Sequence, residues 1–394
     1  MKKLKRIAEI FKILDIKQVL DFFIFPFIFI ISIFAKPFCK DIWIVAENEN
    51  EACDNGYIFF KYLRENRKDI NAYYVIKKNS KDYEKVSKLG NVIHYRSLKH
   101  WIYYLNAKRI VISQKYSNPS TALFYLLHIK NIIKTPRIYL NHGITKDNGE
   151  LFYYNRCKFR IFTCGAKREY DYLIKYFGYP KGYVKYTGFA RFDNLDIDIK
   201  EKSKDEEKYI LVAPTWRKWF NDQNDFDEFM EYYYRILDNE EFKKAVEDNN
   251  IKIHLVLHKN MRKFKIKNEK INDRIVVNHN DEVNIQDLIN KTDLLLTDFS
   301  SIFFDIAYRK RPMIFYQFDT EKYRKEQLQE GYFSYEKDGF GEVIHDEKDV
   351  IKKLIKYIDS NFKLEKKYEK RMDDFFERKD KNNCKRILEE IEKI

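Results

Sequence analysis

Cysteine is scarce and unpatterned in this sequence. The five present (Cys39, Cys53, Cys157, Cys164, Cys384) are odd in number and form no Cys-x-x-Cys pair. That argues against a disulfide framework or a zinc site and for reduced, cytoplasmic thiols. Also absent are G-x-x-x-x-G-K-[ST], G-x-G-x-x-G, H-E-x-x-H and G-x-S-x-G. Their absence argues against P-loop NTPases, dinucleotide oxidoreductases, zincins and α/β-hydrolases. No Arg-rich tract, RNP-like sequence or zinc-finger spacing accompanies the formal charge of +14. The favoured anionic partner is therefore a phosphorylated substrate or an anionic membrane, with no nucleic acid. No apolar run reaches the ~20 residues of a bilayer span. The longest, Phe22–Ala35, is interrupted by Pro26 and Ser32. There is no internal repeat and no low-complexity segment.

What is present suffices for two domains, with an apolar content of 44% over 394 residues. Residues 1–21 place Lys2, Lys3, Lys5, Arg6, Lys12 and Lys17 against Leu4, Ile7, Ala8, Phe11 and Leu14 at helical spacing, which predicts a basic amphipathic helix. With the apolar run behind it, the segment 1–37 reads as a membrane-associating anchor lying in the cytoplasmic interface. Each Lys or Arg near an anionic surface adds ~1 kcal/mol of attraction. A signal peptide is the poorer reading, because Glu9, Asp15 and Asp21 interrupt the leader and no small-residue cleavage site follows. A buried core helix is the other alternative.

From Ile42 onward, short β-rich runs alternate with helical segments. Predicted strands are Ile42–Ala46, Ala72–Ile76, Val92–Tyr95, Arg109–Ser113, Arg137–Leu140 and Phe159–Thr163. After a charged linker, Asp193–Lys208, the alternation resumes with Ile210–Ala213, Ile253–Leu257, Arg274–Val277, Leu294–Leu296 and Met313–Tyr316. Such alternation predicts doubly wound parallel sheets. The expected organisation is an acceptor domain over 38–195, a donor domain over 205–375 and a closing helix over 376–394, with the two domains facing a cleft.

The chemistry-bearing residues fall just beyond predicted strands, where such folds place function. Thr297, Asp298, Ser300 and Ser301 follow Leu294–Leu296 and precede Ile302, Phe303, Ile306 and Ala307 at helical spacing. The turn either offers N–H groups and hydroxyls to a phosphate or uses its serines only as helix caps. His142, followed by Gly143, ends another strand and is either a proton acceptor near pH 7 or a structural turn residue. Arg217, in Ala213-Pro214-Thr215-Trp216-Arg217, is either a phosphate clamp or a surface residue. His258 follows Ile253–Leu257 in the same way, whereas His254 lies within that strand and reads as a packed core residue.

Together these marks resemble the CDP-glycerol glycerophosphotransferase family of teichoic acid and capsule polymer enzymes. They are Asp54-Asn55-Gly56, His142-Gly143 with Lys146-Asp147, Cys164-Gly165-Ala166-Lys167, Thr187-Gly188-Phe189-Ala190-Arg191-Phe192-Asp193, Pro214-Thr215-Trp216-Arg217 and Thr297-Asp298-Phe299-Ser300-Ser301 with Phe304-Asp305. The resemblance covers most of residues 40–380. It implies an α/β, GT-B-like fold of two Rossmann-like domains, a CDP-glycerol or CDP-ribitol donor, no catalytic metal or other cofactor, and a membrane-associated amino-terminal region. It further implies His142 as general base, with Gly143 and Lys146 on the acceptor side. His258, Ser300, Ser301 and the helix start would hold the diphosphate, with Arg217, Thr215, Thr297, Asp298 and Asp305 contributing to donor binding. Asp305 admits three roles: binding polyol, orienting a donor group or supporting its helix.

The implied activity is transfer of a polyol phosphate from a CDP carrier to a hydroxyl of a membrane-linked glycan or growing polymer, at the cytoplasmic face of the membrane. Alternatives are a GT-B glycosyltransferase using a nucleotide sugar for cell-surface polysaccharide, and a membrane-surface scaffold without enzymatic activity.

Overall fold

The computed structural model describes residues 16–115, 117–198, 202–203, 205–267 and 272–394. Short apolar runs buried on both faces become the strands of two all-parallel sheets, as expected of strands covered by helices on each side. The first sheet contains β1 (Trp43–Ala46), β2 (Ala72–Ile76), β3 (Val92–His94), β4 (Arg109–Ile112), β5 (Arg137–Tyr139), β6 (Ile161–Cys164) and β7 (Val184–Tyr186), in the order β3-β2-β1-β4-β5-β6-β7. The second contains β8 (Lys208–Ala213), β9 (Ile251–Leu257), β10 (Ile275–His279), β11 (Leu294–Thr297), β12 (Met313–Tyr316) and β13 (Glu342–Ile344), in the order β10-β9-β8-β11-β12-β13. Each order reverses once, between β1 and β4 and between β8 and β11. Beyond the carboxyl ends of such a switch, the loops diverge and leave a crevice.

Two strands escape the sequence pattern. Val184–Tyr186 and Glu342–Ile344 are three-residue edge strands with polar members, too short to show a period. The closing helix Asn383–Glu392 does not stand apart. Cys384, Ile387, Leu388 and Ile391 are buried among Val45, Ile58, Phe59 and Leu63 of the first domain. Asp193 accepts from the backbone N–H groups of Asn383 and Cys384 at 2.9 and 2.8 Å, satisfying donors at that helix's start. The chain thus crosses between the lobes twice.

At the amino-terminal end, one helix, Ile16–Ala35, runs unbroken through Pro26. The basic stretch 1–15 lies outside the described residues. Asp21, Phe25, Ile28 and Ser32 recur at 4-3-4 spacing and are buried. Asp21 pairs with Arg96 at 2.6 Å, Phe25 packs on Trp101, and the Ser32 carbonyl accepts from Asn106 at 2.9 Å. The helix is therefore fastened lengthwise to the first domain. Its opposite face exposes Phe23, Phe27, Ile30, Ile33 and Phe34, with Phe38 just beyond. Gln18–Phe38 is long and apolar enough to cross a bilayer by composition.

Candidate active site

The first lip of the cleft is assembled from the ends of β1, β4 and β5. Asn141, two residues past the end of β5, takes the left-handed conformation at φ 61°. Glu169 pins this loop by accepting from Asn141 Nδ2 (3.0 Å) and from the backbone N–H groups of Thr145 and Gly165 (both 2.7 Å). Burial pushes the Glu169 carboxyl up to about 7. The loop then presents the His142 ring to the cleft, with 62% of its side chain exposed.

Asp54 faces that ring. It occupies the N-cap position of helix Asn55–Asn66 without capping it, because Glu47 has taken over the helix start. Glu47 accepts from the N–H groups of Cys53 (2.9 Å), Asp54 (3.0 Å) and Tyr57 (2.6 Å). The freed Asp54 carboxylate accepts from His142 Nδ1 at 2.6 Å through one oxygen and from Arg191 at 2.8 Å through the other. Gln114 Nε2, two residues past β4, lies 3.0 Å from the same ring nitrogen; with Nδ1–H given to the Asp54 carboxylate, this N–H contacts the ring without donating to it. Surrounding protein lowers the proton affinity of His142, but the charge and hydrogen bond of Asp54 outweigh it, and the imidazole sits above its ordinary 6.5. Burial works against the Asp54 anion, yet His142 and Arg191 hold its carboxyl below the usual range.

The second lip has a different construction. Asp298, after β11, is fully buried and accepts from the Thr215 backbone N–H (2.9 Å), the Thr215 hydroxyl (2.6 Å) and Arg217 (2.7 Å). These bonds tie the β8 and β11 loops across the topological switch. Half-buried Ser300 and exposed Ser301 follow. The following helix begins at Phe303, and its start has no side-chain cap. The serine side chains therefore do not cap that helix, and Ser301 Oγ lies toward Gly143 of the first lip.

Half-buried His258 follows β9. Its Nδ1 accepts from the Asn260 backbone N–H at 3.1 Å, and its ring stacks on Trp216. Burial, then neighbouring Lys259, push its pKa below 6.5. His142 is near enough that its positive charge opposes protonation of His258.

The lips meet. A Cβ added to Gly143 would lie 3.2 Å from Ser301 Oγ. Ion pairs also cross the seam: Arg191–Asp305 (2.7 Å), Lys259–Glu51 (3.0 Å), Arg324–Asp147 (2.7 Å) and Arg168–Asp338 (2.8 Å).

This geometry assigns complementary tautomers to the two imidazoles. His142 donates from Nδ1 to a carboxylate, which leaves Nε2 bare to accept a proton. Neutral His258 accepts at Nδ1, so its proton sits on Nε2 and is available for donation. One lip carries a proton acceptor; the other offers an imidazole N–H and two hydroxyls suited to phosphate oxygens.

Several sequence-predicted site residues lie elsewhere. Arg217 does not reach the cleft. It is fully buried, with its guanidinium bonded to Asp298, Asp319 and the Thr215 carbonyl. Thr297 donates its hydroxyl to the Ala213 carbonyl, and the Thr215 hydroxyl is taken by Asp298. Asp298 is therefore an organiser beneath the lip. Asp305 is spoken for by Arg191 and supports the seam, which leaves no open carboxylate for polyol. Lys146 is buried against Asp147 and the Tyr335 ring, away from any open acceptor face. Conversely, Asp54, Arg191, Gln114, Glu47 and Glu169 were missed as site residues. Asp54 and Arg191 do stand within the recognised motifs, but their meeting across 137 positions is invisible in sequence. Among the described residues no three His, Cys, Asp or Glu side chains gather as metal ligands.

Two doubly wound parallel sheets facing a cleft, with the functional groups at both switch points, define a two-domain α/β protein of the GT-B-like kind. The family model described as CDP-Glycerol:Poly(glycerophosphate) glycerophosphotransferase matches residues 29–393, and the chain belongs to that family. It is 31% identical over 369 residues to the minor teichoic acid biosynthesis protein GgaB of Bacillus subtilis, covering 89% of this chain and 40% of that protein. It is 28% identical over 249 residues to a teichoic acid poly(glycerol phosphate) polymerase of Bacillus spizizenii, covering 57% of this chain and 59% of the relative. The chain thus spans roughly half the length of these relatives. A structure of the wall teichoic acid polymerase TagF soaked with CDPG superposes with a TM-score of 0.66 at 16% identity, over 96% of each chain, and shares the fold.

Proposed function

We propose that this protein transfers glycerol phosphate or a related polyol phosphate from a CDP-polyol to a hydroxyl of a growing teichoic-acid-type polymer, releasing CMP. The observation that carries this reading is the pair of oppositely oriented imidazoles on adjoining lips. His142 Nε2 takes the proton of the acceptor hydroxyl while that oxygen attacks the phosphorus bearing the polyol. A new P–O bond forms to the acceptor, and the P–O bond to CMP breaks. General-base help of this kind is worth ~10²–10⁴-fold. Ser300, Ser301 and the Nε2–H of His258 donate to the diphosphate and to the charge left on CMP. Arrival of that dianion adds to the counter-charge of Asp281 and favours protonation of His258.

The family membership and the relatives' roles in teichoic acid synthesis support this donor class. The exposed aromatic face of Ile16–Ala35 supports a peripheral position on the cytoplasmic face of the membrane, with the helix lying in the interface and a lipid-linked or polymeric acceptor within reach. The test is a donor screen with CDP-glycerol, CDP-ribitol, UDP-sugars and GDP-sugars, supplied with a teichoic-acid primer and read by nucleotide release. CMP from a CDP-polyol is expected. UDP or GDP release would establish the glycosyltransferase alternative. Salt-sensitive polymer binding with no nucleotide release would establish a scaffold.

A further inference from the structure

Arg191 joins the two lips, and every edge of its guanidinium is engaged. Nε and Nη2 form a two-pronged pair with Asp305 of the second domain at 2.7 and 2.9 Å. Nη1 donates to Asp54 at 2.8 Å and to the backbone carbonyl of His142 at 2.7 Å. Its own backbone N–H donates to the Asn55 side chain at 2.9 Å, and that side chain in turn bonds the Asn141 carbonyl at 2.9 Å. The side chain is buried, so these bonds form in a low-dielectric seam where geometry and charge count most. One residue thus holds the carboxylate that orients His142, the backbone that carries His142, and a carboxylate one helical turn beyond Ser301.

We propose that Asp305–Arg191–Asp54 is a positioning relay, through which the placement of the Ser300–Ser301 lip sets the orientation and proton affinity of His142. The proposal rests on the reading of His142 as general base. A planar fork suits the role. It can satisfy Asp305 with two parallel bonds while a third N–H reaches Asp54, which the point charge of a lysine cannot reproduce. The relay also explains why Asp305 is buried and fully paired, although it follows the proposed diphosphate-binding serines so closely.

The charges in the relay act on His142 with opposite signs. Asp54 and buried Glu47 favour its protonated form, whereas Arg191 opposes it; His258, across the cleft, is neutral while His142 titrates. Gln114 is uncharged. Removing the Arg191 charge leaves Asp54 unopposed, so His142 should titrate at higher pH. Removing the Asp305 charge leaves Arg191 uncompensated, so His142 should titrate at lower pH. Charge removal alone would give those signs; what the relay adds is that Asp305→Asn, which touches His142 only through Arg191, also lowers kcat on the pH plateau where His142 is already neutral.

The experiment compares wild type, Arg191→Gln and Asp305→Asn in the full chain. The His142 ring is titrated by NMR after histidine labelling, and CMP release from CDP-glycerol is followed against pH. Arg191→Gln is expected to move the titration and the acid limb of kcat upward, Asp305→Asn downward. In Arg191→Gln, kcat near neutral pH should fall about tenfold or more with donor KM little changed, since general-base catalysis is what is impaired. Should Arg191→Gln fail to fold, the isosteric Asp305→Asn carries the test with its own downward shift and lowered plateau. Unshifted titrations, shifts in the same direction, or an Asp305→Asn plateau equal to wild type would overturn the relay. Because the titration needs no turnover, opposite shifts in a protein that releases no CMP would sink the donor reading and leave the relay standing.

Discussion

The two lips of the cleft grow from sheets with the same strand order at their switch points, yet they are wired in opposite ways. On the first, an ion pair touches the exposed ring: His142 bonds Asp54, which buried Arg191 holds from behind. On the second, the main ion cluster lies beneath the lip, and the partly exposed Lys259 beside His258 is paired with Glu51. Buried Arg217 and Asp298, with half-buried Asp319, form a cluster under the lip, which presents Ser301, Ser300 and one neutral imidazole. The difference matches two tasks. A proton acceptor needs neighbours that tune its affinity. A phosphate cradle needs rigid donors, and a buried ion pair can supply the rigidity without competing for the ligand. The comparison teaches that a charge just beyond a strand end can be a scaffold rather than a contact, and burial distinguishes the two.

The largest expected effect breaks the first lip. His142→Ala should cut CMP release by ~10²–10⁴-fold with the fold intact; near-wild-type turnover would remove the base assignment. Breaking the second lip should register first as lost stability. Arg217→Met strands Asp298 and Asp319 without their cation and should cost ~3–5 kcal/mol in denaturant unfolding. If the variant instead unfolds normally and only donor KM rises, Arg217 reaches the ligand after all. Ser300→Ala combined with Ser301→Ala should do the converse. Charge-assisted bonds of ~1.5–3 kcal/mol imply donor binding weaker by roughly ten- to a hundredfold, with melting temperature almost unchanged.

The comparison sharpens with pH. His142 works as the neutral base and titrates above 6.5, so kcat should rise with pH through that raised value. Asp54→Asn removes the cause of the elevation, so the acid limb should move to lower pH while the plateau drops. An unmoved limb would show that another group governs the profile. The smallest expected effect is that of chelation: turnover in EDTA should match that in magnesium, and collapse in EDTA would require a metal in the step.

Much of this was legible in the sequence, because its cues are local. Leu294–Leu296 followed by Thr, Asp and Ser announced a strand, a turn and a helix, and β11 lies there. The sequence also placed His142, Ser301 and His258 beyond strand ends, which topology alone then turns toward the switch points. Direction was not legible. Nothing in Pro214-Thr215-Trp216-Arg217 says that the guanidinium folds back under its own loop to two aspartates, one of them 102 positions away. Nor could Asp54 be told from an ordinary helix cap, because its release depends on Glu47 taking that duty. The amino-terminal segment was divided after Asp21, where the charges stop, whereas one helix, Ile16–Ala35, runs across that point and through Pro26, held by a four-residue stripe.

The direct test is the protonation of the four ring nitrogens of His142 and His258, read by long-range ¹H–¹⁵N correlation in the protein above pH 8. The account predicts hydrogen on Nδ1 of His142 and on Nε2 of His258. Hydrogen on Nε2 of His142, or the same tautomer in both rings, would contradict it.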